Sequence, residues 1–261
     1  MSKPCVCVLF ADGTNCDAET AHAFALAGGE PETVHVNQLR SGAKRLADYR
    51  ILVIPGGFSY GDDVASGVIL ANELTTSLAS QLQTFVDRFD TLVFGICNGF
   101  QVLVRSGLLP YRPDLGKRMS ATLTTNDSGL FECRWVPLAV EESCCIFTRG
   151  MAGQDISLMV AHGEGKFVTG DGCLDDLRAN GCVALRYGNN AYPDNPNGSC
   201  DRIAGICSFN GRIFGLMPHP ERFVRREQYP NWRRERGRQP DGLLFFVNAV
   251  HFASDPHNFT A

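Results

Sequence analysis

The chain has 261 residues, 44% hydrophobic and 20% charged, with a net charge of −4 and a pI of about 5.9. That balance can bury a substantial core and excludes broad electrostatic attraction to nucleic acid or to an anionic membrane. No apolar run reaches the length of a membrane span, and the opening MSKPCVCVLF has no secretory h-region, so a cytoplasmic location is expected.

Residues 5–10 (CVCVLF) read as a strand buried on both faces, followed by a helix over 17–28 that opens with an Asp capping signal and ends in Gly28-Gly29. Residues 51–54 (ILVI) read as a third strand. Leu74, Leu78, Leu82, Phe85 and Val86 predict a helix over 73–88, and 91–96 (TLVFGI) reads as a fourth strand. Alternation of this kind builds a parallel sheet with right-handed crossovers. From about residue 119 the runs MSATLTT, FECRWVPLAV, ISLMVAH, CVALRY, IAGICSF and RIFGLM follow with few helices between them, as an antiparallel extension would. Residues 188–202 form a long polar loop, and a final helix is expected over 240–253. The expected fold is α/β: an open, mostly parallel central sheet flanked by helices, flavodoxin-like, with an antiparallel extension. No linker or repeat divides it, so 1–261 is read as a single domain.

Eleven cysteines are present, several inside strand-like runs, and none forms a Cys-x-x-Cys pair. They read as reduced core thiols, with no metal site expected.

Segment 91–109, TLVFGICNGFQVLVRSGLL, runs a buried strand into Gly95-Ile96-Cys97-Asn98-Gly99 and then a helix. A nucleophile between glycines at such a turn is an elbow, where the helix N-terminus favours a thiolate and the Asn98 N–H can meet an oxyanion. A buried cysteine beside a turn fits the same segment. In 213–223, IFGLMPHPERF, prolines hold the backbone extended and place His219 and Glu221 on one side, as a base and its orienter. Residues 161–166 (AHGEGK) hold a competing pair, His162 and Glu164. The rigid prolines favour His219, leaving His162, Gly163, Glu164 and Gly165 as a loop at the site or at a partner interface. Pro55-Gly56-Gly57-Phe58 follows the third strand, where backbone N–H groups could serve the oxyanion. No phosphate-binding or dinucleotide-binding glycine motif occurs, so no cofactor is expected on this chain.

Together PGG, GxCxGxQ and PHPE resemble the class I, triad-type glutamine amidotransferases. GGFSYGDD, GICNGFQ, FECRWV, AHGEGKF, ALRY, YPDNPNGS and MPHPERF resemble more closely the amidotransferase component of phosphoribosylformylglycinamidine synthase, over residues 5 to 252. The resemblance implies that Cys97 attacks the side-chain amide of glutamine, that His219 moves the proton and that Glu221 holds His219. It implies an oxyanion hole from Gly56, Gly57, Phe58 and Asn98, and a glutamine contact from Gln101. It implies a synthetase partner, with or without a small third subunit, that uses ATP and Mg and receives the ammonia. With no synthetase sequence present, the separate-subunit form is expected, although several segments after 119 look more like the fused form. YPDNPNGS is the expected synthetase-facing loop. The seven arginines between Arg222 and Arg238 read as a solvated face, the alternative being that some of them contact the synthetase or support the edge of the site.

Two alternatives remain at this level. One is a stand-alone cysteine hydrolase or chaperone of the same fold, which PHPE disfavours. The other is a non-catalytic scaffold subunit, which an intact Cys97, His219 and Glu221 disfavours.

Overall fold

The apolar runs of the first half become strands β1 (Cys5–Phe10), β3 (Ile51–Ile54) and β4 (Leu92–Ile96), the last two buried at every position. The computed structural model describes residues 3–110 and 120–259. Strand β2 (Glu30–His35), which carries the polar sequence EPETVH, pairs in parallel with the outer side of β1. Its residues show no apolar alternation, because an edge strand with one buried residue needs none. Helices α1 (Asp17–Leu26) and α2 (Val36–Arg40) flank this part.

The helix expected over 73–88 is two helices, α3 (Val68–Thr75) and α4 (Ala79–Asp87). Thr75 and Thr76 hydroxyls donate to the carbonyls of Ala71 (2.9 Å) and Asn72 (2.6 Å), and Thr76 leaves helical geometry at φ −113°, ψ −82°. Such back-bonding bends or ends helices. The leucine spacing survives the break, so periodicity alone missed it. Helix α5 (Asn98–Arg105) follows β4 directly.

The second half contributes β5 (Ala121–Thr124), β6 (Glu132–Val140), β7 (Asp155–His162), β8 (Lys166–Thr169), α6 (Asp171–Ala179), β9 (Val183–Tyr187), β10 (Ile203–Cys207), β11 (Ile213–Leu216) and α7 (Leu243–Ser254). Met119, at the head of the MSATLTT run, lies outside the described residues. The main sheet has the order β2-β1-β3-β4-β11-β10-β9-β6-β7, and β5 pairs with β8 in a separate ribbon. The strands from β2 through β4 to β11 are parallel, and β10, β9, β6 and β7 continue antiparallel. The expected parallel sheet with an antiparallel extension is what forms.

The last strand places the site. β11 enters beside β4 in register, Gly215 opposite Gly95 and Leu216 opposite Ile96. The chain leaving β4 at Cys97 therefore lies beside the chain leaving β11 toward His219, at the carboxyl ends where open α/β sheets hold ligands. Below them Phe94 and Phe214 stack with ring centroids 5.5 Å apart, and Phe246 of α7 meets Phe94 at 5.8 Å. All three are fully buried, and each contributes about 2–3 kcal/mol by removal from water. Helix α5 sits very close to the sheet: a side chain at Gly99 would come within 1.9 Å of the Ile54 carbonyl oxygen. The second glycine of the Gly-x-Cys-x-Gly segment is thus required by packing.

Candidate active site

Cys97 has φ 52° and ψ −105°, a conformation an L side chain occupies only when its surroundings force it. Two constraints do so here. Its N–H donates to Leu216 O at 2.8 Å, extending the β4–β11 ladder, and its carbonyl accepts from Phe100 (2.9 Å) and Gln101 (3.2 Å), starting α5. The nearly buried thiol lies 3.6 Å from Ala161 O at the end of β7. This is the elbow geometry expected from the sequence.

His219 leaves β11 extended at φ −107°, ψ 91°, with Pro220 next. Its N–H donates to Met159 O at 2.8 Å, fixing it against β7. Its Nδ1 and Glu221 Oε1 are 2.5 Å apart, and both residues are 1% exposed. That contact makes Nδ1–H the donor and leaves Nε2 as the working nitrogen; Nε2 has no hydrogen bond among the described residues. Burial disfavours the imidazolium, but the charges of Glu221 and Cys97 and the nearby Cys16 and Cys97 sulfurs outweigh it. The histidine pKa stands well above its ordinary value. A nucleophile facing a carboxylate-oriented imidazolium can attack an amide carbonyl and protonate the leaving amine.

Cys16 is not among the residues expected at the site. It lies against this pair: its sulfur, His219 and Glu221 offer ligand atoms within 4.8 Å of one another. Arg222 donates to Cys16 Sγ (3.2 Å) and to Glu19 Oε1 (3.0 Å), and approaches Glu221 at 4.0 Å. Burial pushes the Cys16 thiol up, so it stays neutral beside the histidine. No spacing in the sequence joins residue 16 to 219; only the β1–β3–β4–β11 order does. Arg222 is the member of the arginine run that supports the site. Arg238 pairs with Asp241 (2.6 Å) over the Tyr229 ring, while Arg225, Arg233, Arg234 and Arg236 are exposed, as the solvated-face reading expects.

The loop after β3 packs beside His219. The Phe58 N–H donates to Gly13 O at 2.9 Å and is engaged within its own loop. Gly57, at φ 145°, packs against Gly13–Asn15, and Gly56 lies against the His219 ring. The Asn98 side chain accepts from the Ser59 hydroxyl (2.7 Å) and donates to Gln101 Oε1 (3.0 Å) and Asp62 (3.2 Å), holding the loop to α5. Gln101 donates to Glu164 O at 2.7 Å. Gln101 and the 162–165 loop therefore form one wall.

His162 and Glu164 reach different partners. His162 Nδ1 meets Asn126 Oδ1 at 3.2 Å, and the Glu164 carboxylate accepts from the Ser66 N–H at 3.4 Å. Asn126 also accepts from the Gly165 N–H (2.9 Å). Asn197, within the YPDNPNGS segment, donates to Gly165 O (2.8 Å), so that segment is anchored to the same wall while Tyr192 stands exposed. Burial, with the His219 and Arg134 charges, pushes the His162 pKa down to about 3. An unfolded histidine titrates near 6.5. Below that pH the unfolded chain takes up a proton that the folded chain refuses. Stability is therefore expected to fall as pH drops from about 6.5 toward 3, by up to about 1.4 kcal/mol per pH unit from this group. Denaturant midpoints of wild type and His162→Gln between these pH values check this; equal slopes would contradict it.

The CobB/CobQ-like glutamine amidotransferase domain profile matches residues 3–253. The phosphoribosylformylglycinamidine synthase subunit PurQ of Dehalococcoides mccartyi is 47% identical, over 97% of this chain and 99% of that one. The probable phosphoribosylformylglycinamidine synthase of Arabidopsis thaliana is 38% identical over 95% of this chain, which spans 19% of that protein. A chain in the structure of PurLQS from Thermotoga maritima superposes with a TM-score of 0.75 at 34% identity, covering 96% of this chain and 99% of that one. This chain therefore belongs to the CobB/CobQ-like glutamine amidotransferase family, among the PurQ subunits of phosphoribosylformylglycinamidine synthase.

Proposed function

We propose that this chain is the glutaminase subunit of a phosphoribosylformylglycinamidine synthase, working through a Cys97–His219–Glu221 triad. The observation that carries the reading is the meeting of a strained, elbow-held Cys97 with a buried, carboxylate-oriented His219 at the paired ends of β4 and β11.

The steps follow from the groups brought together. The Cys97 thiolate attacks the side-chain amide carbon of glutamine. Negative charge moves to the amide oxygen, where the N–H groups of Asn98 and Gly57 receive it. The His219 imidazolium gives its Nε2 proton to the departing nitrogen, releasing ammonia and leaving a thioester on Cys97. The neutral imidazole then takes a proton from water, which attacks the thioester carbon and frees glutamate and the thiolate. Glu221 accepts from Nδ1–H throughout, holding the tautomer and stabilising the imidazolium. The Gln101–Glu164 wall bounds the glutamine side chain.

The partner is a synthetase that uses ATP and Mg to convert formylglycinamide ribonucleotide to the amidine with this ammonia, in de novo purine biosynthesis. Free hydrolysis would waste glutamine, so the site is gated by that partner. Glutamate release is expected to rise at least about 10-fold when the synthetase, ATP and ribonucleotide are all present, an assembly effect of the kind lid closure produces. Equal release by the chain alone would remove the gating and keep the hydrolysis. No release in the full mixture would remove the function.

A further inference from the structure

A second convergence of cysteines lies away from Cys97. Cys144 follows β6, Cys182 immediately precedes β9 and Cys207 ends β10. Their sulfurs all lie within 4.8 Å of one another, with Cys144 and Cys207 at 3.6 Å. Cys207 pairs with Phe214 near the start of β11, so the cluster sits at the opposite end of the sheet from His219.

The backbone holds these sulfurs in place. The Cys144 N–H donates to Gly181 O (3.0 Å) and the Cys207 N–H to Cys182 O (2.8 Å). Gly211 packs so closely that a side chain there would meet Cys144 O at 1.9 Å. The spacing suits a metal ion: four ligands arranged tetrahedrally at about 2.3 Å from zinc place neighbouring sulfurs about 3.8 Å apart. Cys182 and Cys207 are fully buried, whereas Cys144 is exposed and lines a cavity of about 370 Å³ with Glu141, Glu142 and Ser143. The cavity leaves room for a water or carboxylate as a fourth ligand.

We propose that Cys144, Cys182 and Cys207 form a structural site for one thiophilic, closed-shell cation such as Zn²⁺, tying together the segments before β9, after β6 and at the end of β10. Thiolates select such ions over hard cations. The ligands bind as thiolates, so metal uptake releases protons and affinity rises with pH. The missing Cys-x-x-Cys spacing is no obstacle, because the sheet brings the ligands together.

The test titrates Co²⁺ into the full chain under a non-thiol reductant, followed by displacement with Zn²⁺. The expected result is one equivalent bound, with a thiolate-to-cobalt charge-transfer band and tetrahedral d–d bands. Affinity should fall roughly 100-fold or more in Cys144→Ser, since losing a ligand costs no less than losing a supporting contact. The exposed position of Cys144 lets that variant fold, which circular dichroism checks, and Cys182→Ser repeats the test. Cys16→Ser, in the catalytic cluster, should keep the bands. The absence of a thiolate band in wild type would overturn the site. So would bands that survive Cys144→Ser and disappear in Cys16→Ser.

Discussion

Cys97→Ala is expected to reduce glutamate release from glutamine by roughly 10⁴-fold or more while leaving the fold intact. Losses of this size accompany removal of a nucleophile whose partners act as one unit. The substitution keeps the Cβ, so the left-handed backbone at φ 52° is no more strained than before. The ladder contact to Leu216 and the start of α5 are made by backbone atoms and persist. The lost group is the sulfur 3.6 Å from Ala161 O. Steady-state glutamate release by the full complex, with a matching thermal midpoint, checks both halves. Undiminished turnover would place the nucleophile elsewhere.

Glu221→Gln should lower the rate by roughly 10²–10⁴-fold at nearly unchanged volume. An amide can still contact Nδ1, but it does not hold the imidazolium or enforce the tautomer as the carboxylate does. The Glu221 charge is the leading force that raises the His219 pKa against the cost of burial. Removing it should also shift the His219-dependent limb of the pH–rate profile to lower pH, a readout that a merely structural role would not move. His219→Ala should be at least as severe. His162→Ala should be much milder, because His162 is held by Asn126 and lacks a carboxylate partner of the Glu221 kind. Reversal of that ranking would transfer the base to His162.

The first-half architecture was readable because strands buried on both faces leave continuous apolar runs, as in ILVI and LVFGI. β2 was not, since an edge strand needs little apolar content. The break between α3 and α4 was hidden because threonine back-bonding stops a helix without disturbing leucine spacing. β8 and α6 were also missed, lying in the glycine-rich and acidic stretch that follows β7.

The candidate site shows the same division. Cys97, His219 and Glu221 each sit in a segment whose glycines or prolines announce an unusual backbone, so local sequence pointed to them. Their meeting depends on β11 inserting beside β4, which no local pattern encodes. Cys16 and Arg222 reach His219 and Glu221 only through that topology, and the Cys144–Cys182–Cys207 cluster depends in the same way on β6, β9 and β10 being neighbours. The Phe58 N–H was expected at the oxyanion, but its bond to Gly13 arises from a long-range loop contact that the PGG motif does not specify.

The central claim is that Cys97, among eleven cysteines, is the one that reacts with glutamine. Incubating the chain and its synthetase with a glutamine-mimicking electrophile, then mapping the adduct by peptide mass spectrometry, tests this directly. One adduct per chain on the peptide carrying Cys97, blocked by glutamine, is the predicted result; an adduct on Cys16 or another cysteine, or none at all, would contradict it.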